Sequence, residues 1–519
     1  MKRIMVLMLA LIMLAGLTVG CNTTTNTPDA GQTSMTGQSQ NEPELSGAKD
    51  TLIVGISSEP TSLNPVETSL VYNDAVLRLI YDNLIRLDDE MNYVPHLAES
   101  YEAISDTEWK FVLRESIRFS DGTPLTSEDV KASIEACNAS AALSSFAAWL
   151  DEVRIEDDRT FVIVTKTPSS RILLDLAQYS YIAPKKLLDD TEYRFNEKPI
   201  GSGPYTLVEW KLGDRLIFKA NEDYFLKEDK AKIPNLIWRI MPEGIARTIA
   251  IQEGEVDFLY DVQASDLPKL KDDQNIEVFS TPYSSPFYLC FNLKRPGMDN
   301  LYVRKAIAAA INRDNAVLLA TNGYATPIIS CAASGLLGSS DDGAEAYNVE
   351  KAKEYMAMSG LPEDQRTFTV LTKEEPFKIA LESIQSDLLE IGVTLKIDML
   401  DTATYTARGA DGDSDMITGK SGVADILVYA NSAFRTGAFV NFNFLADDYV
   451  DDLIDKGSQI LDSAKREAII KELVTYCNEN CFRTGIYQLS TTRAYNVKLK
   501  GFETNIVSLD RYNKLYWAE

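Results

Sequence analysis

Residues 52–82 read LIVGISSEPTSLNPVETSLVYNDAVLRLIYD. Leu52-Ile-Val-Gly-Ile56 is a short apolar run rich in β-branched residues, which predicts a buried strand. Ser57-Ser-Glu-Pro60 and Asn64-Pro65 are turn chemistry. From Asn73 to Asp82, apolar Ala75, Val76, Leu79 and Ile80 recur at helical spacing. Strand, turn and helix in that order set the theme for the chain. Trp109-Lys-Phe-Val-Leu113 alternates in and out, and Ser120-Asp-Gly122 supplies a turn. Strands are expected at Phe161–Thr165, Leu216–Phe218, Leu236–Ile240, Phe287–Phe291, Thr367–Leu371, Val393–Met399 and Ile426–Ala430. Helices are expected at Tyr302–Ile311, Val349–Ser359, Lys378–Ile391, Tyr449–Leu461 and Arg466–Asn480, with Asp299 or Asn300 capping the first. Strands alternating with helices argue for an α/β protein built around sheets.

The chain has 519 residues, too many for one ordinary core, so two or three domains are expected. Hydrophobic residues at 45% and charged residues at 25% are the balance of a folded globular protein. With 77 acidic against 51 basic side chains the net charge is −26, which repels phosphate backbones and argues against nucleic-acid binding.

The N-terminus reads as an address. Lys2 and Arg3 precede a continuous apolar run from Ile4 to Leu14, and small residues then lead to Cys21, as in a secretory signal spanning residues 1–20. Thr18-Val-Gly-Cys21 resembles a bacterial lipobox, although Thr18 stands where leucine is preferred. That resemblance implies lipidation of Cys21 and anchoring to the cell membrane. Residues 22–50 hold Met35 and Leu45 as their only larger apolar side chains, so a tether reaching on the order of 30 Å is expected over 21–50.

Scarcity excludes much chemistry. His96 is the one histidine, so no zinc site with two histidines is available and any Ser-His-Asp triad must be built around it. It sits in Val94-Pro-His-Leu97, read as a loop, and no serine-elbow motif is present. Cys137, Cys290, Cys331, Cys477 and Cys481 are odd in number and read as buried small hydrophobes. Cys477 and Cys481 are expected on one face of the helix Arg466–Asn480. Gly419-Lys-Ser421 lacks the earlier glycine of a phosphate loop. Asp411, Asp413 and Asp415 lack both the glycine and the glutamate of a calcium loop and read as solvated. No cofactor and no metal are expected.

Several ordered segments carry a resemblance. They are Tyr81-Asp-Asn-Leu-Ile-Arg-Leu87, Tyr93-Val-Pro-His-Leu-Ala-Glu-Ser-Tyr101, and Trp109–Arg114 leading into Ile117-Arg-Phe-Ser-Asp-Gly-Thr-Pro-Leu-Thr126 and Asp129-Val130. Pro199-Ile-Gly-Ser-Gly-Pro-Tyr205, Asn221, Tyr224, Glu253-Gly-Glu-Val-Asp257, Phe291-Asn292 and Val303-Arg-Lys-Ala-Ile-Ala-Ala-Ala-Ile-Asn312 continue them. From about residue 51 to the C-terminus the chain resembles a bacterial extracellular solute-binding protein of the class serving peptide and nickel ABC importers. The resemblance implies a type II periplasmic-binding-protein-like fold, with two lobes around a cleft and an extra α+β domain inserted in the first lobe. Mapped onto this chain, the first lobe takes 50–82, 200–283 and 487–519, the inserted domain 83–199, and the second lobe 284–486. Most of the shared motifs read as turns and element junctions, reporting the fold rather than ligand contacts.

The implied function is capture of a peptide by lobe closure, as a monomer, and delivery to permease subunits, with no enzymatic step. Peptide-binding relatives commonly anchor the ligand's amino terminus on an aspartate after a second-lobe strand. The matching segment here, Ile426–Gly437, has no such aspartate and carries Arg435 near that place. Arg435 would repel an ammonium and attract a carboxylate, unless it pairs with a protein carboxylate instead. Candidate ligand contacts are Thr68, Ser69 and Tyr72 after the first strand, Tyr283 and Tyr288 at the crossing into the second lobe, and Asn431, Ser432, Phe434 and Arg435. An oligosaccharide, an acidic solute, a metal chelate, or a signalling peptide that is sensed rather than imported remain alternatives. A surface hydrolase has no motif behind it.

Overall fold

The computed structural model describes residues 50–518. The signal at 1–20, Cys21 and most of the tether lie outside them. Within the described part, an eleven-stranded mixed sheet runs through both lobes. On the first-lobe side, Thr51–Ile56 pairs in parallel with Asn235–Ile240 and Phe258–Leu259. Antiparallel Arg215–Ala220 and Tyr205–Lys211 extend that side outward. On the second-lobe side lie Met416–Lys420, Thr367–Thr372 and Thr394–Met399. Two long antiparallel strands, Ile276–Phe291 and Arg483–Asn496, join the halves.

The first strand is buried at every position after Thr51, as an apolar run flanked by strands on both sides must be. Its core gathers Leu52, Val54, Trp238 and Phe258 with Phe111 and Phe161 of the inserted domain. That domain is a four-stranded antiparallel sheet in the order Ala98–Ala103, Glu108–Leu113, Thr160–Thr165, Leu150–Ile155, backed by the helix Ser127–Ala139. Trp109, Phe111 and Leu113 point into it, on the expected alternation. A second core collects Phe287, Leu289, Val370, Ile384 and Leu395, and a third Tyr288, Tyr429, Leu453 and Cys477. This is the two-lobed type II periplasmic-binding-protein fold with a domain inserted in the first lobe.

The shared motifs act as joints. The helix Val71–Ile80 ends against Gly201-Ser-Gly203, where Gly203 N–H donates to the Ile80 carbonyl at 2.8 Å. A Cβ at Gly201 would stand 2.1 Å from the Ile80 oxygen, and one at Gly203 2.5 Å from the Ile80 carbonyl carbon, so only glycine allows this approach. Asn300 rather than Asp299 caps Leu301–Ala310. Arg304 on that helix donates to the Met298, Asn480 and Cys481 carbonyls, pinning the end of the helix Ser463–Glu479.

Two expectations are corrected. Ile426–Ala430 is not a strand but the start of a helix, Ile426–Ala433, because Asp425 accepts the Leu427 and Val428 N–H groups as an N-cap. The apolar run fits either element when all of it is buried; the cap decides. Cys481 lies beyond the helix end at φ +45° and packs in a different core from Cys477, so the two do not share a helix face. All five described cysteines are free and buried. Asp413 pairs with Arg408, and Asp415 with Arg295 and the Thr369 N–H. No metal-holding cluster exists among the described residues, and no described helix is long and apolar enough to cross a membrane.

Candidate functional site

The two joining strands keep register from Ile276 opposite Asn496 to Pro282 opposite Ser490, then break. Pairing resumes at Pro286 opposite Gln488, so Tyr283, Ser284 and Ser285 together face Leu489 alone. A bulge of this kind bends the strand where the halves meet. Beside it opens a cavity of about 560 Å³, walled by both lobes. Val71, Tyr260 and Asp261 contribute from one side; Ala320, Tyr324 and Gly422 from the other.

Ser490 to Arg493 cross this cavity. One edge of their strand is paired throughout with Ile276–Pro282. The other edge is paired with Ala325–Pro327 up to Leu489 and with Phe258–Leu259 from Ala494 onward, and no partner among the described residues covers 490–493. Backbone parity says which groups are free. Asn496 N–H donates to the Asp257 carbonyl on this second edge, and the Ile486 carbonyl accepts from Ile328 on the same edge. Alternate residues of a strand point the same way, so Ser490 and Thr492 aim their N–H and C=O groups at the open edge. The Thr492 carbonyl accordingly accepts from the Arg493 guanidinium at 3.2 Å rather than from the neighbouring strand. A short unpaired strand edge inside a cleft is a template for an extended chain.

Charges around the cavity are paired within the protein. Arg493 donates to Asp510 at 2.7 Å and to Ser508, and lies 4.2 Å from the Tyr260 ring centroid. Arg78 pairs with Asp74 at 2.8 Å. Burial alone would lower both guanidinium pKa values, but the adjacent carboxylates raise them instead, so both stay charged. Asp261 stands 3.5 Å from Arg247. Burial pushes the Tyr72 and Tyr283 hydroxyls up, keeping them neutral donors.

Of the residues singled out from sequence, Ser69 and Tyr283 line the cavity. Tyr72 sits one bond behind its wall, with its hydroxyl 2.6 Å from Ser57 Oγ and 3.3 Å from Asp261. Thr68 Oγ1 accepts the Leu70 N–H in a turn. Tyr288 is buried, stacked on Tyr429 and bonded to Ser421. The helix at 426–433 carries the last group away from the cavity. Asn431 accepts from Arg435, Ser432 donates to the Tyr429 carbonyl, and Phe434 packs against the buried Arg483. Arg435 pairs with Asp455, the second of the two outcomes open to it. None of Thr68, Tyr288 or Asn431–Arg435 lines the cavity. Sequence reasoning missed Asp74, Arg78, Asp261, Arg493 and Asp510. The polar run Ser490-Thr-Thr-Arg493 inside a strand was the available signal.

His96 is buried directly after the strand Tyr93–Pro95. Its Nε2 lies 2.8 Å from Asp82, which also accepts from Ser202 and Tyr224. The carboxylate, not the imidazole, is the centre of this set. Ser202 is bonded to that carboxylate and not to the imidazole, so no serine–histidine pair forms, and the arrangement ties the inserted domain to the first lobe.

A family model for the bacterial extracellular solute-binding proteins, family 5, middle region, matches residues 92–433. The chain belongs to that family. As a family 5 solute-binding protein it is of the kind that serves ABC importers. It is 26% identical over 443 residues to the glutathione-binding protein GsiB of Escherichia coli (strain K12), covering 82% of this chain and 86% of that one. The solved structure of HbpA2 from Haemophilus parasuis matches 90% of this chain and 100% of its own at a TM-score of 0.82 and 22% identity. AgaA from A. tumefacien R10, in complex with agropinic acid, matches 90% and 99% at 0.70 and 27%.

Proposed function

We propose that this protein is the substrate-binding lipoprotein of an ABC importer, closing two lobes over a peptide or peptide-like solute and passing it to the permease. The observation that carries this reading is the unpaired edge at Ser490–Arg493 inside the interlobe cavity. The free Thr492 N–H and the Ser490 carbonyl suit an extended amide backbone whatever its side chains. The cavity falls within the range for small-ligand sites. The relative GsiB is named for glutathione, a peptide. AgaA, with agropinic acid, favours a second reading, a non-peptide acidic solute.

The reading takes the lobes as 50–82, 200–283 and 487–519 against 284–486, with 83–199 inserted; separate apolar cores favour the split between the lobes, while the inserted segment shares the first lobe's core. Export by residues 1–20, lipidation at Cys21, a tether over 21–50, a monomeric state and the lack of any enzymatic step complete it. A thermal-shift assay with a tripeptide pool tests it: melting should rise, and backbone N-methylation of the peptides should abolish the rise. A rise with acidic solutes and none with peptides would favour the second reading. Cys21→Ala should release the protein from the membrane fraction.

A further inference from the structure

Three carboxylates and two guanidiniums line the cavity: Asp74, Asp261 and Asp510 against Arg78 and Arg493. Their bonding separates the carboxylates. Asp510 is 3% exposed and is taken by Arg493 and by Thr504 Oγ1, each at 2.7 Å. Asp74 accepts two guanidinium bonds from Arg78 and one from the Tyr181 hydroxyl. Asp261 is different. Its side chain is 28% exposed, and its one short-range donor is the Ser57 N–H at 3.0 Å on Oδ2. On Oδ1 it has only the Tyr72 hydroxyl at 3.3 Å, itself closer to Ser57 Oγ, and Arg247 at 3.5 Å. Arg247 directs its better bonds at the Met241 and Pro242 carbonyls, 2.6 and 2.9 Å away.

An ionised carboxylate can accept about four hydrogen bonds. Asp261 thus faces the cavity with acceptor capacity unused, and an unfilled acceptor in a closing cleft selects for a donor.

We propose that Asp261 receives the cationic group of the captured solute, a primary ammonium such as a peptide amino terminus. This rests on the reading of the cavity as the solute site and deepens it. The ammonium is held from the first lobe, in a chain whose second-lobe segment 426–437 offers only Arg435, turned away onto Asp455. Closure would then bring the second lobe over a solute already oriented by its charged end.

The test measures affinity of the purified protein for four pools: free-amine tripeptides, the same peptides N-acetylated, polyamines, and neutral or acidic oligosaccharides. The expected result is at least tenfold weaker binding after acetylation. Asp261→Asn should lose at least tenfold for the free amines and little for the acetylated set. Asp455→Asn, on the outer surface, should change neither. Because acetylation alters only the ligand, the result stands even where D261N fails to fold. Binding of polyamines alone, lost in D261N, supports Asp261 and overturns the peptide reading. Peptide binding indifferent to acetylation and to D261N overturns Asp261 and leaves the peptide reading standing. Binding of oligosaccharides only, or of no pool, overturns both.

Discussion

Thr491 and Thr492 are neighbours in one strand, yet their substitution by proline should have opposite consequences. Thr492 points its N–H at the open edge in the cavity, where no protein group claims it. Proline there removes a donor that only the solute uses, and unpaired edges tolerate proline. Loss of one such hydrogen bond is worth about 1 kcal/mol, or roughly fivefold in Kd. Stability should stay within about 1 kcal/mol of wild type. Thr491 faces the other way, into the ladder opposite Thr281. Proline there strands a carbonyl on the partner strand, which alone costs about 1–3 kcal/mol. Calorimetric titration with a bound tripeptide and urea unfolding separate the two. Should Thr492→Pro bind as tightly as wild type, or lose stability as Thr491→Pro does, the assignment of the free edge is wrong.

Three further outcomes follow from the packing. Burial raises the Asp257 carboxyl to about 6, against a single opposing bond from the Ile53 N–H. An unfolded aspartate ionises near 3.9, so the folded state holds the proton more tightly between roughly pH 4 and 6. The stability contributed by neutral Asp257 is therefore full below about pH 4 and lost as pH rises through 6, about 3 kcal/mol in all. Asp257→Asn should flatten that part of the urea-unfolding profile between pH 4 and 7. Gly203→Ala, forcing a Cβ onto the Ile80 carbonyl, should cost about 1–3 kcal/mol by the same assay. Arg483 donates to Asn443, Tyr429 and the Ala433 and Val440 carbonyls. Arg483→Lys cannot reach them all, and at about 1 kcal/mol per stranded acceptor it should destabilise by roughly 3 kcal/mol.

The architecture was legible because period-2 and helical spacings are local. Trp109, Phe111 and Leu113 fall inward as alternation demands, and Gly201-Ser-Gly203 marks a joint that no other residues can make. Ile426-Leu-Val-Tyr-Ala430 misled because a run buried on all sides has no period, and the deciding Asp425 cap lies just outside it. That error carried the expected ligand contacts at 431–435 with it, since a helix turns them from the cavity. The cavity itself was less legible. Asp261, Tyr283 and Ser490–Arg493 come from separate segments, and the edge is open only because two other strands stop short of it. Such a gap belongs to pairing between distant segments, which composition and spacing do not encode. His96 lies in the loop between Tyr93–Pro95 and Ala98–Ala103 as its sequence context implies, but its Asp82 partner is fourteen residues earlier, out of reach of any local pattern.

On the proposed function the lobes move together around a solute. Spin labels on Leu212→Cys in the first lobe and Leu389→Cys in the second, both exposed, would be selective because the five described cysteines are buried. Electron–electron resonance should then give a shorter, narrower distance distribution once a tripeptide that raises the melting temperature is added. An unchanged distribution with the solute demonstrably bound would contradict closure as the act of capture.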